Sequence, residues 1–495
     1  MHSRHLRPDE RDWLALLCET VFANPFGVDR ARLGRLLGRA PPAALVSQAG
    51  HYGELLPALD QRLAALAARG LSRLEHFSGD DRALMTRVFL FRCWQAHLEP
   101  FDDLIAAQRR GTGRSWLSPQ WLHGLLERLA GYGFGPAEAA RWVALFYQLR
   151  RAYHFIDQAL IGRSEPMRAL RQALWNSVFT TDLRNYALLL WDRMQDFPTL
   201  LLGETGTGKG SAAAAIGRSG PIPFDAAAGF RHGIDATFIA TNLSELSETL
   251  IESELFGHCK GAFTGAVADH DGLFTRCGRH TTLFLDEIGD VSMPVQTKLL
   301  RVLQERTFQP VGGHDTRRFE GRVVAATNRP LEELLGAGRF RDDLFYRLSA
   351  NIIRVPTLRE RLAADDAELA ELADALLTRM AGADAASVLR GPVLAALDAL
   401  PPAYAWPGNV RELEQAIRRI LVTGRYHPDA PAPTDPWLAA AATGQLSAAH
   451  LLAGYCRRLY SRTGTYEAVA RITGLDRRTV KRHIDGPNHD DPAIT

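Results

Sequence analysis

The residues with the clearest chemical purpose are Gly203-Glu204-Thr205-Gly206-Thr207-Gly208-Lys209. Glycines at this spacing let backbone N–H groups turn inward around a phosphate, and Lys209 can neutralise the β- and γ-phosphates of a nucleotide. The run follows the apolar stretch Thr199–Leu202 and precedes the small-residue stretch Ser211–Ile216, a strand–loop–helix context. An ordinary glycine-rich turn is the alternative. Gly210 stands where Ser or Thr would normally offer a hydroxyl to Mg²⁺, and Ser211 comes one residue late.

A second apolar run, Leu283–Leu285, ends in Asp286-Glu287. A strand that leaves the core directly into two carboxylates bears a desolvation cost, which points to chemistry. Asp286 would hold Mg²⁺, in part through water, and Glu287 would orient or deprotonate an attacking water. The alternative is a helix cap. Thr237–Ala240 runs into Thr241-Asn242, and Val323–Ala326 into Thr327-Asn328. Ligands of parallel α/β sheets bind at the carboxyl ends of the strands, so these ends define one expected site. Asn328 can sense the γ-phosphate or position the water, and Asn242 is expected within reach of Glu287. Either asparagine alone would be an ordinary turn residue.

The elements that must position these groups follow from the texture of the chain. Short apolar strands, completed by Ile352–Val355, alternate with amphipathic helices between Pro198 and Pro356, which predicts a parallel α/β sheet. Helical patterns from Leu362 to Val422 suit a small lid, and Arg425–Pro436, rich in Pro, Ala and Asp, suits a linker. Before residue 161 the chain is rich in Ala, Leu and Arg at helical spacing, as in Leu55, Leu59, Leu63 and Leu66, and predicts an all-helical domain. Its tryptophans, Trp13, Trp94, Trp116, Trp121 and Trp142, are read as core packing rather than an effector pocket.

The 495 residues suit about three domains at roughly 150 residues each. Lys+Arg at 58 against Asp+Glu at 56 leaves +2, so affinity for nucleic acid must come from a local patch. Five scattered cysteines without a C-x-x-C pair argue against disulfides or zinc, and no run of about eighteen apolar residues predicts a membrane span. A cytoplasmic protein is expected.

The local patch lies near the end of the chain. From Thr465 a helix with Ala468, Val469 and Ile472 on one face leads to a turn at Gly474, and a second helix is pinned by Leu475, Val480 and Ile484. Asp476 suits its N-cap. Arg477, Arg478, Thr479, Lys481 and Arg482 on that second helix can meet bases and phosphates of double-stranded DNA in a helix-turn-helix arrangement, with a solvated basic face as the alternative. The preceding helix Ala448–Tyr460 carries Leu451, Leu452, Tyr455 and Leu459, which could make a dimer contact.

In order along the chain, Gly203–Lys209, Gly261-Ala262-Phe263-Thr264-Gly265-Ala266, Leu283–Asp290, Phe340–Leu348 and Trp406-Pro407-Gly408-Asn409-Val410-Arg411-Glu412-Leu413 resemble the bacterial enhancer-binding proteins. These are AAA+ ATPases that activate sigma-54 RNA polymerase. The resemblance begins near Ile161, in Ile-Gly-Arg-Ser, and leaves residues 1–160 outside. It implies ATP and Mg²⁺ as cofactors, with Gly203–Ser211 and Arg411 around the nucleotide. Arg341 and Arg347 match arginine fingers that reach a neighbouring subunit of a hexameric ring, and Arg411 matches a second sensor on a helix that Asn409 can cap. Gly261–Ala266 matches the loop that touches sigma-54. Small residues around one exposed aromatic also read, on their own, as a mobile contact loop. The C-terminal segment is similar to the family's Fis-type module. Two positions depart from the family: Gly210 replaces a common Glu, and Leu243 replaces a common Cys.

The expected architecture is an all-α regulatory domain (1–160), an AAA+ α/β core (161–360), a helical lid (361–424), a linker (425–445) and a helix-turn-helix domain (446–495). The function implied is a sigma-54-dependent activator that binds upstream DNA and uses ATP hydrolysis to open the polymerase closed complex. An AAA+ remodelling or DNA-translocating motor with another target is the alternative, and a DNA-binding protein with a decayed ATPase is a third.

Overall fold

The strands Thr199–Leu202 (β1), Phe238–Asn242 (β2), Thr282–Asp286 (β3), Arg322–Thr327 (β4) and Asn351–Arg354 (β5) form a five-stranded sheet in the order β2-β3-β4-β1-β5 in the computed structural model. All pairs are parallel. Residues Leu200, Leu201, Leu283, Leu285 and Val323–Ala326 are buried, as strands covered on both faces require. Register sets Asn242 level with Asp286 and Leu202 level with Thr327, so β1 to β4 deliver their carboxyl ends to one edge. Each expected strand is present: β1 coincides with Thr199–Leu202 and the other ends are displaced by one or two residues, so that β2 carries Thr241 and Asn242 within the strand.

The structure describes residues 5–27, 29–40, 48–111, 119–158, 160–401, 404–428, 437, 440–441, 444 and 446–485. Most of the linker stretch expected at 425–445, and Trp116, lie outside the described residues. The chain divides into two compact units, Met1–Gly424 and Arg425–Thr495. Among the described residues no helix is long and apolar enough to cross a membrane.

Helices Pro8–Val21, Arg30–Leu37, Leu56–Ala68, Gly79–Gln95, Leu98–Arg110, Trp121–Tyr132 and Pro136–Tyr153 fill the first part of the chain, with no strand among its described residues. Their aromatic residues pack on one another: Phe101 meets Trp121 edge to face at 4.8 Å, and Trp13 lies under the Arg62 guanidinium at 4.0 Å. The change of texture near residue 160 is a change of architecture without a gap between cores. One continuous apolar cluster runs from Leu6 through Tyr147 and Ile156 to Ile216, Phe230 and Val355. A second cluster, including Leu283, Leu299 and Leu344, fills the other face of the sheet.

The lid consists of Leu358–Ala364, Glu368–Ala381, Ala383–Asp398 and Asn409–Thr423. Glu368, fully buried, pairs with Arg361 at 2.6 Å and accepts from the backbone N–H groups of Arg163 and Ser164. Gly162, at φ +104°, passes so close to this carboxylate that a Cβ would lie 2.0 Å from its Oε1. The Ile161–Ser164 segment is thereby tied to the first lid helices.

In the C-terminal unit, helices Ala448–Thr463, Tyr466–Thr473 and Arg477–Asp485 enclose Cys456, Leu459, Val469 and Val480. Thr465 and Asp476 cap the second and third helices, and Gly474 at φ +71° turns between them. Ile472, expected inside, is 53% exposed. Val469 is buried as expected, and Tyr466 and Ala470 pack beside it where Ile472 was expected.

Candidate active site

Lys209 begins helix Lys209–Arg218 immediately after Gly208, whose φ of +103° is open to glycine without strain. The lysine is 6% exposed and its Nζ donates to the carbonyls of Gly203 at 2.9 Å and Glu204 at 3.3 Å. Glu287 Oε1 lies 3.9 Å away. Burial pulls the lysine pKa below its ordinary value, partly offset by Glu287 and Asp286. Thr207 closes the loop through its hydroxyl to the Glu204 carbonyl, 2.9 Å.

The two carboxylates stand at the end of β3. Burial raises the pKa of both, and Lys209 opposes the rise. Asp286 Oδ1 accepts from the Glu287 N–H at 3.1 Å. Glu287 sits at φ +55°, a left-handed backbone that is uncommon outside glycine and that clusters at functional sites. Its Oε2 accepts from the Asn328 N–H at 3.0 Å, and Asn328 Nδ2 donates to Thr205 Oγ1 at 2.8 Å. Asn328 therefore links the carboxylate to the phosphate loop.

Asn242 is placed differently from expectation. Its side chain donates to Glu245 at 2.7 Å and accepts from the Ser244 N–H and hydroxyl, so it closes its own turn instead of meeting Glu287. A short polar side chain at the last residue of a strand satisfies the nearest N–H groups first.

The lid reaches the loop at close range. A Cβ on Gly206, at φ +80°, would sit 2.2 Å from the Gly408 carbonyl oxygen and 3.0 Å from Arg411 Cβ. Arg411 is exposed here, and its side chain has no hydrogen-bond or ion-pair partner among the described residues. Asn409 does not cap the helix, which begins after Gly408. Fully buried, it donates to the Thr205 carbonyl at 3.1 Å and to Glu204 at 3.2 Å, and accepts from the Leu358 N–H at 2.8 Å. Glu204 also pairs with Arg359, which holds its carboxyl below the usual range. Sequence reasoning missed this bridging role of Asn409, and it missed Arg359. The asparagine in Trp-Pro-Gly-Asn was the available signal, but its place just ahead of an amphipathic helix pointed to capping.

Gly210 and Ser211 are exposed on the first turn of the helix, and a Cβ on Gly210 would meet nothing within 4 Å. A longer side chain is thus sterically admissible there. Among the described residues no three His, Cys, Asp or Glu side chains cluster for a metal. A magnesium ion would take its protein carboxylate from Asp286 and its remaining ligands from phosphate and water, the pattern usual for this cation.

Arg341 pairs with Asp343 through two hydrogen bonds of 2.9 and 2.7 Å, and Arg347 donates to the Leu303 carbonyl at 2.9 Å. Neither contacts the phosphate loop of its own chain. Between them Tyr346 is 76% exposed. The Gly261–Ala266 stretch is a closed hairpin: the Gly261 N–H donates to the Ala266 carbonyl at 2.8 Å and the Ala266 N–H to Phe263 at 3.0 Å. Gly261 and Gly265 have φ of +82° and +103°. Thr264 is exposed, Ala262 half-buried, and Phe263 is 40% exposed with its ring edge-on to His258 at 4.9 Å. In the other unit, Arg478, Lys481 and Arg482 are exposed without partners among the described residues, Thr479 donates to Asp476, and Arg477 pairs with Glu467 at 2.9 Å.

Residues 186–354 match the Sigma-54 interaction domain, and residues 363–427 match the AAA+ ATPase lid domain. The Nif-specific regulatory protein of Azotobacter vinelandii is 41% identical over 283 residues, 56% of this chain and 46% of that protein. The transcriptional regulatory protein ZraR of Salmonella typhimurium is 44% identical over 233 residues, 47% and 49% of the two chains. The response regulator protein PilR of Pseudomonas aeruginosa is 39% identical over 266 residues, 53% and 52%. The chain spans about half the length of the curated relatives it matches. Residues 186–354 and 363–427, which between them hold the phosphate loop and the lid helix that meets it, are thus similar to a Sigma-54 interaction domain and an AAA+ ATPase lid domain.

Proposed function

We propose that the chain is an ATP-hydrolysing transcription activator that remodels sigma-54 RNA polymerase from the closed to the open complex. The observation that carries this reading is the combination of Lys209, Asp286, Glu287 and Asn328 at one edge of the sheet with the hydrogen-bonded Gly261–Ala266 turn, which exposes Thr264, in the connection between β2 and β3.

The residues fit a magnesium nucleotide. Lys209 and the unpaired Arg411 bring positive charge to the loop, while Asp286 stands beside Lys209 with its charge only partly compensated. Bound ATP supplies the phosphoanhydride to be cleaved, and Mg²⁺ neutralises its charge. Gly206–Gly208 direct N–H groups inward, and Lys209 exchanges loop carbonyls for phosphate oxygens. Glu287 orients and deprotonates water, which its raised pKa favours by bringing proton affinity nearer to neutrality. Asn328, bound to both Glu287 and Thr205, registers whether the γ-phosphate side is filled.

Arg341 and Arg347 act on the nucleotide of the next subunit, so hydrolysis depends on ring assembly, for which six subunits suit the family. Their lack of contact with their own loop and the exposed Tyr346 between them support this reading. Arg477, Arg478, Thr479, Lys481 and Arg482 bind upstream double-stranded DNA, with dimeric ends. Exposed Leu451 and Tyr455 offer the apolar surface for that contact, whereas Leu459 is buried within its own unit. Residues 1–160 regulate the ATPase.

The test is in vitro transcription with purified sigma-54 RNA polymerase and ATP, comparing the full chain with Thr264→Ala. ATP-dependent open complexes are expected from the former. In Thr264→Ala they are expected to fall about tenfold or more while ATP hydrolysis is retained. Vigorous hydrolysis without open complexes would overturn the reading and favour another remodelling target.

A further inference from the structure

We propose that Arg151 and Gln148 are positioning residues for the phosphate loop, acting from the N-terminal helices on the far end of the helix that the loop begins. The proposal rests on the nucleotide reading above. An α-helix ends with carbonyls that lack intrahelical partners and with a partial negative charge. In helix Lys209–Arg218 Gly217 and Ser219 at this end are buried, and partners for the carbonyls at 218–220 come from helix Pro136–Tyr153. Arg151 donates from Nη1 to the Arg218 carbonyl at 2.7 Å and from Nη2 to the Gly220 carbonyl at 2.5 Å. Gln148 donates to the Ser219 carbonyl between them at 2.9 Å and meets the Tyr186 hydroxyl at 2.7 Å. Both side chains are completely buried.

Arg151 has no carboxylate partner among the described residues. It lies 4.7 Å over the Tyr147 ring and faces the negative end of the helix. Burial pulls its pKa down to about 10, so it remains charged at neutral pH. A buried charge whose compensation comes from the carbonyls of one turn fixes that turn, because any displacement strips the charge of its partners. The body of the helix cannot slip independently. Ala212, Ala213, Ala215 and Ile216 are buried, and a Cβ on Gly217 would lie 2.2 Å from the Phe238 ring. Ten residues at 1.5 Å each make a rod of about 15 Å. Pinned at residues 218–220, it sets where Gly208 and Lys209 stand at the other end. The N-terminal helices therefore tune affinity for the nucleotide, in either direction, through this one contact.

The test measures KM and kcat for ATP, with melting temperature, on the full chain carrying Arg151→Met, Arg151→Lys or Arg322→Met. Arg322 is a control of the same kind: a buried guanidinium, it bonds Ser177 and Thr199 and makes no hydrogen bond to helix Lys209–Arg218. Arg151→Met is expected to raise KM about tenfold with a smaller change in kcat, Arg151→Lys to recover most of the loss, and Arg322→Met to lower melting temperature with KM within about twofold of the starting value. An unchanged KM in Arg151→Met, or an equal rise in Arg322→Met, would overturn the proposal. Should Arg151→Met fail to fold, Gln148→Leu decides in its place: a raised KM supports the proposal and an unchanged one overturns it. Failure of the unaltered chain to bind or hydrolyse ATP would instead overturn the nucleotide reading.

Discussion

Glu287 combines two unfavourable conditions, a left-handed backbone and a carboxylate held out of water. Its pKa lies above the ordinary glutamate value, so the charged form is less favourable folded than unfolded. The cost is present above the raised folded value and is relieved as pH falls through it towards the ordinary value. Glu287→Gln removes the charge and keeps an oxygen for the Asn328 N–H. It is expected to melt about 1–2 °C higher while turnover falls about a hundredfold. Differential scanning calorimetry beside an ATPase assay checks both; a lower melting temperature would contradict the assigned cost. The same titration places an acid limb in the rate profile, activity falling as pH drops through the Glu287 value. Asp286 and Glu287 were legible in the sequence because two carboxylates directly after an apolar strand carry a desolvation cost that ordinary packing does not offset. Asn409 was not, because its partners Thr205 and Leu358 lie far away in sequence and meet it only after the lid has docked.

Among the elements, the phosphate loop and the first turn of the last lid helix approach closely enough that one methyl group matters. Gly206→Ala would drive a Cβ against the Gly408 carbonyl and impose a φ of +80° on a residue that resists it. The expected result is a lid held off the loop and a KM for ATP raised about tenfold, with the fold retained by circular dichroism. An unchanged KM would show that the lid yields without cost. On helix Arg477–Asp485, Arg478→Ala and Lys481→Ala are each expected to weaken DNA binding at all sequences and to lower the salt-dependence slope by about one, read by fluorescence anisotropy across a salt series. Unaltered slopes would assign these charges to solvent. Strands were readable to within a residue or two because buried parallel strands are continuous apolar runs. The face of helix Tyr466–Thr473 was misread at Ile472, since eight residues allow more than one apolar stripe and the neighbouring helices choose between them.

On the scale of the whole molecule, the helical block and the parallel sheet share one apolar cluster, so the stretch before residue 161 is part of what folds the rest. Tyr147 meets Phe230 at 4.6 Å, and Gln108 accepts from the Ile234 N–H at 2.9 Å. A chain beginning at residue 161 would expose these surfaces and leave the carbonyls at 218–220 without donors. It is expected to aggregate on gel filtration; a soluble, cooperatively melting monomer would contradict this. Composition marked where the texture changes. It could not mark the shared core, because which helix faces meet the sheet is decided by contacts between distant segments.

The cap that Gln148 and Arg151 place on the turn at 218–220 also bears on inheritance. A helical block that ends inside the packing of the α/β core cannot be exchanged between relatives as a cassette. Recombination at the apparent boundary would separate donors from acceptors that had adapted to each other. Among related chains with the same helical block, positions 148, 151 and 186 should therefore change together with the 218–220 turn, and damage at one should be repairable by second-site changes at the others.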